Sequence, residues 1–127
     1  MTSETISKEP LALQQLQPGE REALGRKIRG IMPDLLKAIE SNANYFGQRF
    51  PDAACEKGIY PIIDNIEWTT SFWTGQLWLA YEWTGQEQYR ALAEQHIHSF
   101  GQRIINRDHT NHHDLGFLYS LSCVAGQ

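Results

Sequence analysis

The sequence predicts an all-α protein. Apolar residues recur at helical spacing through most of the chain after residue 20. Two of those stripes are joined by little more than a glycine, the length of a turn between packed antiparallel helices. Nowhere do short apolar runs alternate with helices, and no glycine-rich phosphate loop occurs, so a doubly wound α/β sheet is not expected.

In chain order, residues 1–19 are polar, carry Pro10 and Pro18, and read as a tail or docked arm. Leu11, Leu13 and Leu16 are its few packing candidates. Glu20 to Gly30 is helix-compatible, with Leu24 and Ile28 four residues apart. Pro33 suits the first position of a new helix, where its missing N–H is not needed. Leu35, Leu36, Ile39, Ala43 and Phe46 then share one stripe. The expected division is an N-terminal arm over 1–32, partly helical, and a helical body over 33–127. Phe50-Pro51 ends this helix, because proline pushes the preceding residue out of the helical region. Up to Glu67 the chain is rich in turn chemistry (Gly58, Pro61, Asp64-Asn65) and reads as irregular. Ile62 and Ile63 have strand character but no evident partner.

Trp68 to Thr84 is the aromatic centre. Thr69, Thr70 or Ser71 can cap a helix here. Phe72, Leu79 and Trp83 lie on one side; Trp73, Leu77, Ala80 and Tyr81 lie on another. A helix apolar almost all round should be buried on more than one side. Gly85 is a good residue for ending it. Gln86 to Asn106 gives a single stripe of Tyr89, Leu92, Ala93, His96, Ile97, Phe100 and Ile104. His96 on that stripe reads as a satisfied core histidine, and His98 should face solvent. A polar loop, Arg107 to Asn111, precedes a last helix opened by Asp114 and carried by Leu115, Leu118, Tyr119 and Ser122. The alternating loop lengths suit a toroid of helical hairpins, and suit a small bundle almost as well. The last helix is apolar to Val124 and has no docking partner after it, which is the pattern of the front part of something longer.

Composition narrows the function. A net charge of -4 and the absence of a basic face argue against nucleic acid as a partner. No apolar run is long enough to span a bilayer, and Met1 to Glu9 has no hydrophobic signal core. Cys55 and Cys123 match no metal or redox spacing. Free thiols in a cytoplasmic protein that meets no membrane are the expectation.

Asp114 is the leading candidate for chemistry. A carboxylate at the first turn of a helix is favoured by the unpaired amides there. Docked on a core, it is a rigidly held acid of the kind general acid–base catalysis uses. The same position is also that of an ordinary N-cap. His109, His112 and His113, with Asp108 and Asp114, form a cluster of metal-ligand types. Their spacing fits no helix-borne pair, so neither a metal nor another cofactor is expected. Trp68 offers a flat apolar face for a ligand, or is a core tryptophan.

Three blocks together carry a family resemblance: Trp68-Thr-Thr-Ser-Phe-Trp-Thr-Gly-Gln-Leu-Trp-Leu-Ala-Tyr-Glu, then Thr84-Gly-Gln-Glu-Gln-Tyr89, then His112-His-Asp-Leu-Gly-Phe-Leu-Tyr-Ser120. From about Pro33 onward the chain resembles the unsaturated glucuronyl hydrolases, glycoside hydrolase family 88. The resemblance implies an (α/α)6 barrel, of which these would be the opening helical hairpins, incomplete. It implies hydrolysis of oligosaccharides carrying a 4,5-unsaturated uronic acid at the non-reducing end. A proton is delivered at C4, water adds at C5, and the hemiketal opens to release the partner sugar. It makes Asp114 catalytic and substrate-binding, with Trp68 and His113 also contributing to the sugar site. Many members have Asp-Gly after Trp-Thr, where this chain has Thr70-Ser71. The family's second catalytic aspartate falls beyond Gln127, so the chain alone is expected to be inactive and, with helix faces uncovered, to self-associate. The alternative is a non-catalytic all-helical interaction or sugar-binding module.

Overall fold

The computed structural model describes residues 15–127. Residues 1–14 of the expected tail, with Leu11 and Leu13, lie outside the described residues, and its last two, Pro18 and Gly19, are helical. Among the described residues four α-helices dominate: α1 Pro18–Phe46, α2 Thr70–Thr84, α3 Glu87–Asn106 and α4 Leu115–Tyr119. A two-residue antiparallel ladder pairs β1, Phe50–Pro51, with β2, Ile62–Ile63. A π-helical turn, Ser120–Val124, follows α4 directly. By internal contacts the chain divides into two compact units, between Leu36 and Lys37.

The all-α class holds, with three local corrections. The first is Pro33, which lies inside α1 instead of opening a new helix. Pro18 takes the N1 position, and the Glu20 carboxylate accepts the Gln17 backbone N–H at 2.9 Å. That carboxylate cap starts the helix upstream, and the run from Ala23 to Ala43 has no second proline to stop it. Gly47, at φ 56°, ends it before Phe50-Pro51 is reached. The second is Ile62-Ile63, which does find a strand partner, in the segment just after α1. The third is the last helix: regular α geometry stops at Tyr119. Ser122 Oγ donates to the Leu118 carbonyl at 2.6 Å, and Trp78 Nε1 donates to the Ser122 carbonyl at 2.9 Å. Side chains thus occupy backbone acceptors that a continued helix would use.

The second unit is organised around α2 and α3. Gly85 is left-handed at φ 67°, and its N–H closes on the Tyr81 carbonyl at 2.7 Å. Only Gly85 and Gln86 separate the helices, so they run antiparallel, with Thr74 facing His96 and Thr70 facing Arg103. Phe50, Trp73, Leu77, Ala80, Tyr89, Ala93, Phe100 and Leu118 form the buried core. Phe50 joins the ladder to α3 by packing against the tilted His96 ring, 4.4 Å between centroids, and edge-on against Phe100, 5.7 Å. The π-helical turn packs on α2 at Gly75, where a Cβ would stand in ordinary contact, 3.4 Å, with Leu121 Cβ.

α2 is buried on one side, not on two. Its inner face carries Thr70, Ser71 and Thr74 beside Trp73 and Leu77, while Phe72, Leu79 and Trp83 are exposed. On α3 the expected stripe is buried at Tyr89, Ala93, His96 and Phe100, but Ile104 is exposed and Arg103 takes its place inside. His98 is exposed, as expected. Among the described residues no helix is long and apolar enough to cross a membrane.

Candidate active site

The segment before α2 and the loop between α3 and α4 are brought side by side. Between them lies an open cleft of about 370 Å³, lined by Ile66, Glu67, Trp68, Arg107, His109, Thr110, Asn111, His112 and Asp114. Trp68 and Asp114, distant in sequence, therefore line one cleft. Trp68 is 42% exposed and rests edge-on against Phe72, 6.0 Å between centroids, which leaves much of the indole open.

Asp114 stands at the N-cap position of α4, but its carboxylate makes no capping hydrogen bond. The side chain is 21% exposed. One carboxylate oxygen lies 3.4 Å from His113 Nε2, and that histidine is 94% exposed. His113 thus reaches Asp114 but does not line the cleft; its neighbour His112 does. His112 bridges the loop: Nε2 lies 2.9 Å from the His109 carbonyl, and Nδ1 accepts the Asp114 backbone N–H at 3.2 Å. That pattern fits the neutral ring protonated on Nε2. The ring fixes the backbone N–H of Asp114, and the carboxylate is not engaged by the helix it opens.

Beneath the cleft lies a group that the helical stripe had assigned to apolar residues. Arg103 is 4% exposed. Its Nη1 donates to Asn65 Oδ1 at 2.9 Å and to the Glu67 carbonyl at 3.0 Å; its Nη2 donates to the His109 carbonyl at 3.0 Å. Burial lowers its pKa, and Tyr119, Glu67 and Asp108 oppose that shift. Asn65 is itself buried; it also accepts from Thr70 Oγ1 at 2.7 Å and donates to Ser99 Oγ at 3.2 Å. A polar residue three positions after Phe100, on the buried side of α3, was the available sequence signal for Arg103.

His96 is fully buried, its Nδ1 2.9 Å from Thr74 Oγ1, while Nε2 has no hydrogen-bond partner. Thr74 meets the ring at Nδ1, and the Gly47 backbone is its other polar neighbour. Burial pulls its pKa down to about 4, opposed by the Gly47 backbone. Trp73 Nε1, Thr69 Oγ1 and Tyr119 OH are likewise buried without partners. Among the described residues no group of three or more His, Cys, Asp and Glu side chains converges as a metal site would require.

No protein-family model matches the sequence. An unsaturated chondroitin disaccharide hydrolase of Streptococcus pneumoniae is 43% identical over 105 residues, which is 83% of this chain and 26% of that protein. The unsaturated glucuronyl hydrolase of Bacillus sp. strain GL1 is 46% identical over 92 residues, 72% of this chain and 24% of that protein. The chain is a relative of the unsaturated glucuronyl hydrolases. Among solved structures, a variant of the unsaturated glucuronyl hydrolase from Streptococcus agalactiae, complexed with dGlcA-GalNAc6S, superposes with a TM-score of 0.75 at 44% identity. The superposition covers 77% of this chain and 26% of that one. The chain thus spans about a quarter of the length of the relatives it matches, and it matches their α/α barrel only in part.

Proposed function

We propose that this chain carries part of the active site of a family 88 glycoside hydrolase. The substrate is an oligosaccharide with a 4,5-unsaturated uronic acid at its non-reducing end, a product of polysaccharide breakdown. The observation that carries the reading is the shared cleft: an indole with an open face and a carboxyl group unused by its own helix line the same space. Trp68 stacks on the sugar ring. Asp114 delivers a proton to C4 of the conjugated vinyl ether. His113, 3.4 Å from that carboxyl group and outside the cleft lining, contributes to the sugar site through its contact with the acid. Water adds at C5, and collapse of the hemiketal frees the partner sugar. Hydration of the double bond needs a fixed acid and a positioned water. The second requirement calls for another carboxylate, which the resemblance assigns to sequence beyond residue 127.

The test is loss of the ultraviolet absorbance of the unsaturated uronide on incubation with an unsaturated chondroitin disaccharide. We expect the 127-residue chain to bind the disaccharide without turning it over. Failure to bind it at millimolar concentration would count against the reading. Cytoplasmic residence belongs to the same proposal and is supported by two unpaired thiols, Cys55 and Cys123.

A second reading, a non-catalytic module that packs on a partner, has one observation in its favour. Phe72, Leu79 and Trp83 form an exposed apolar side of α2. It makes the opposite forecast for sugar: no binding at the Trp68 cleft.

A further inference from the structure

We infer that Arg103 is the positioning residue that sets the distance between the two walls of the Trp68–Asp114 cleft. The inference rests on the functional reading only for what the cleft binds, not for the geometry.

Arg103 is a buried cation with no carboxylate in ion-pair range among the described residues. A buried charge is costly unless its hydrogen bonds are met. Here Nε has no partner, and the two terminal nitrogens are held by oxygens from two separate segments. One arm of the guanidinium holds Asn65 Oδ1 and the Glu67 carbonyl, immediately before Trp68. The other holds the His109 carbonyl at 3.0 Å. That same carbonyl is the partner of His112 Nε2, and His112 Nδ1 accepts the Asp114 backbone N–H. An unbroken series of hydrogen bonds therefore runs from the backbone beside Trp68, through one guanidinium, to the backbone of Asp114.

The loop needs such a clamp. Arg107 and His109 both sit at positive φ, 56° and 50°, where non-glycine residues are strained. Without a fixed acceptor geometry the loop would relax to ordinary φ values and carry Asp114 with it. The planar, two-armed guanidinium suits this role, and a lysine ammonium, a point donor, does not reach both segments in fixed geometry. Asn65 holds the arrangement from below, tied to both Thr70 on α2 and Ser99 on α3.

The experiment is residue-resolved amide hydrogen exchange on the protein and its Arg103→Lys variant, with an unsaturated chondroitin disaccharide titrated into each. The expected result is local. Exchange in residues 65–68 and 107–114 accelerates by about tenfold or more, while amides of Leu77, Ala80 and Ala93 in the α2–α3 core change little. Disaccharide affinity falls with the loop protection. Unchanged loop exchange in the lysine variant overturns the inference, and so does a uniform acceleration of loops and core, which is the signature of a merely structural arginine. If Arg103→Lys does not fold, Asn65→Ala, which keeps the arginine and removes one acceptor, must show the same loop-confined pattern or the inference fails. Should the unaltered protein bind no disaccharide, the functional reading falls, and the exchange data still decide the role of Arg103.

Discussion

Asp114 and His96 show how two ionisable side chains in one small fold are put to opposite uses. The Asp114 carboxylate makes no cap bond, so its removal takes little from the fold. Asp114→Asn is expected to shift unfolding by no more than about 0.5 kcal/mol, whereas a capping aspartate would lose about 1 kcal/mol. Denaturant melts of the two proteins distinguish these outcomes. His96 works the other way. It is neutral in the folded chain because burial holds its pKa at about 4, against the ordinary 6.5. The unfolded chain takes up a proton as pH falls through 6.5, and the folded chain does not until about 4. Stability is therefore expected to be level above pH 7. It should fall by up to about 3 kcal/mol between pH 6.5 and 4, with no further loss from this residue below that. Denaturant melts across that range, paired with an NMR titration of the His96 ring, check both the sign and the window.

At the scale of elements, Pro33 and Trp78 report on how the helices are held. Pro33 removes one backbone hydrogen bond from the middle of α1, and it is exposed. Pro33→Ala is expected to stabilise the helix by about 1–3 kcal/mol, read as a raised denaturant midpoint. A lowered midpoint would mean that the proline sets a bend that the packing needs. The sequence announced α2, Gly85 and α3 clearly, because their periodicity and the turn glycine agree with each other. It misplaced the start of α1, because Pro33 is as good an N1 residue as Pro18 and only the Glu20 cap decides between them. The ladder of Phe50–Pro51 with Ile62–Ile63 was hidden because two-residue strands carry no alternation. The π-helical turn was hidden because it depends on Trp78 and Ser122, 44 residues apart. Of the cleft lining, Trp68 and Asp114 were singled out through their motif blocks. Arg103 and His112 were not, since their roles come from carbonyl oxygens that no sequence pattern marks.

For the molecule as a whole, the decisive imbalance is on α2. Its inner face is well packed and rich in hydroxyls, while Phe72, Leu79 and Trp83 face outward with Phe117 nearby, 6.4 Å from Phe72 between centroids. Exposed apolar surface of that extent favours association. The chain is expected to sediment as a concentration-dependent oligomer, and Leu79→Lys should shift it toward monomer. Identical sedimentation of both proteins would show that this face is not the one that associates. The same variant leaves Trp68 and its cleft untouched and so serves as the control for sugar binding.

That control frames the most direct measurement: calorimetric titration of an unsaturated chondroitin disaccharide into the unaltered chain, Leu79→Lys and Trp68→Ala. The expected result is measurable binding to the first two and a loss of about tenfold or more on removing the indole, about 1.4 kcal/mol. Equal affinity with and without the Trp68 ring would contradict the assignment of the cleft as the sugar site.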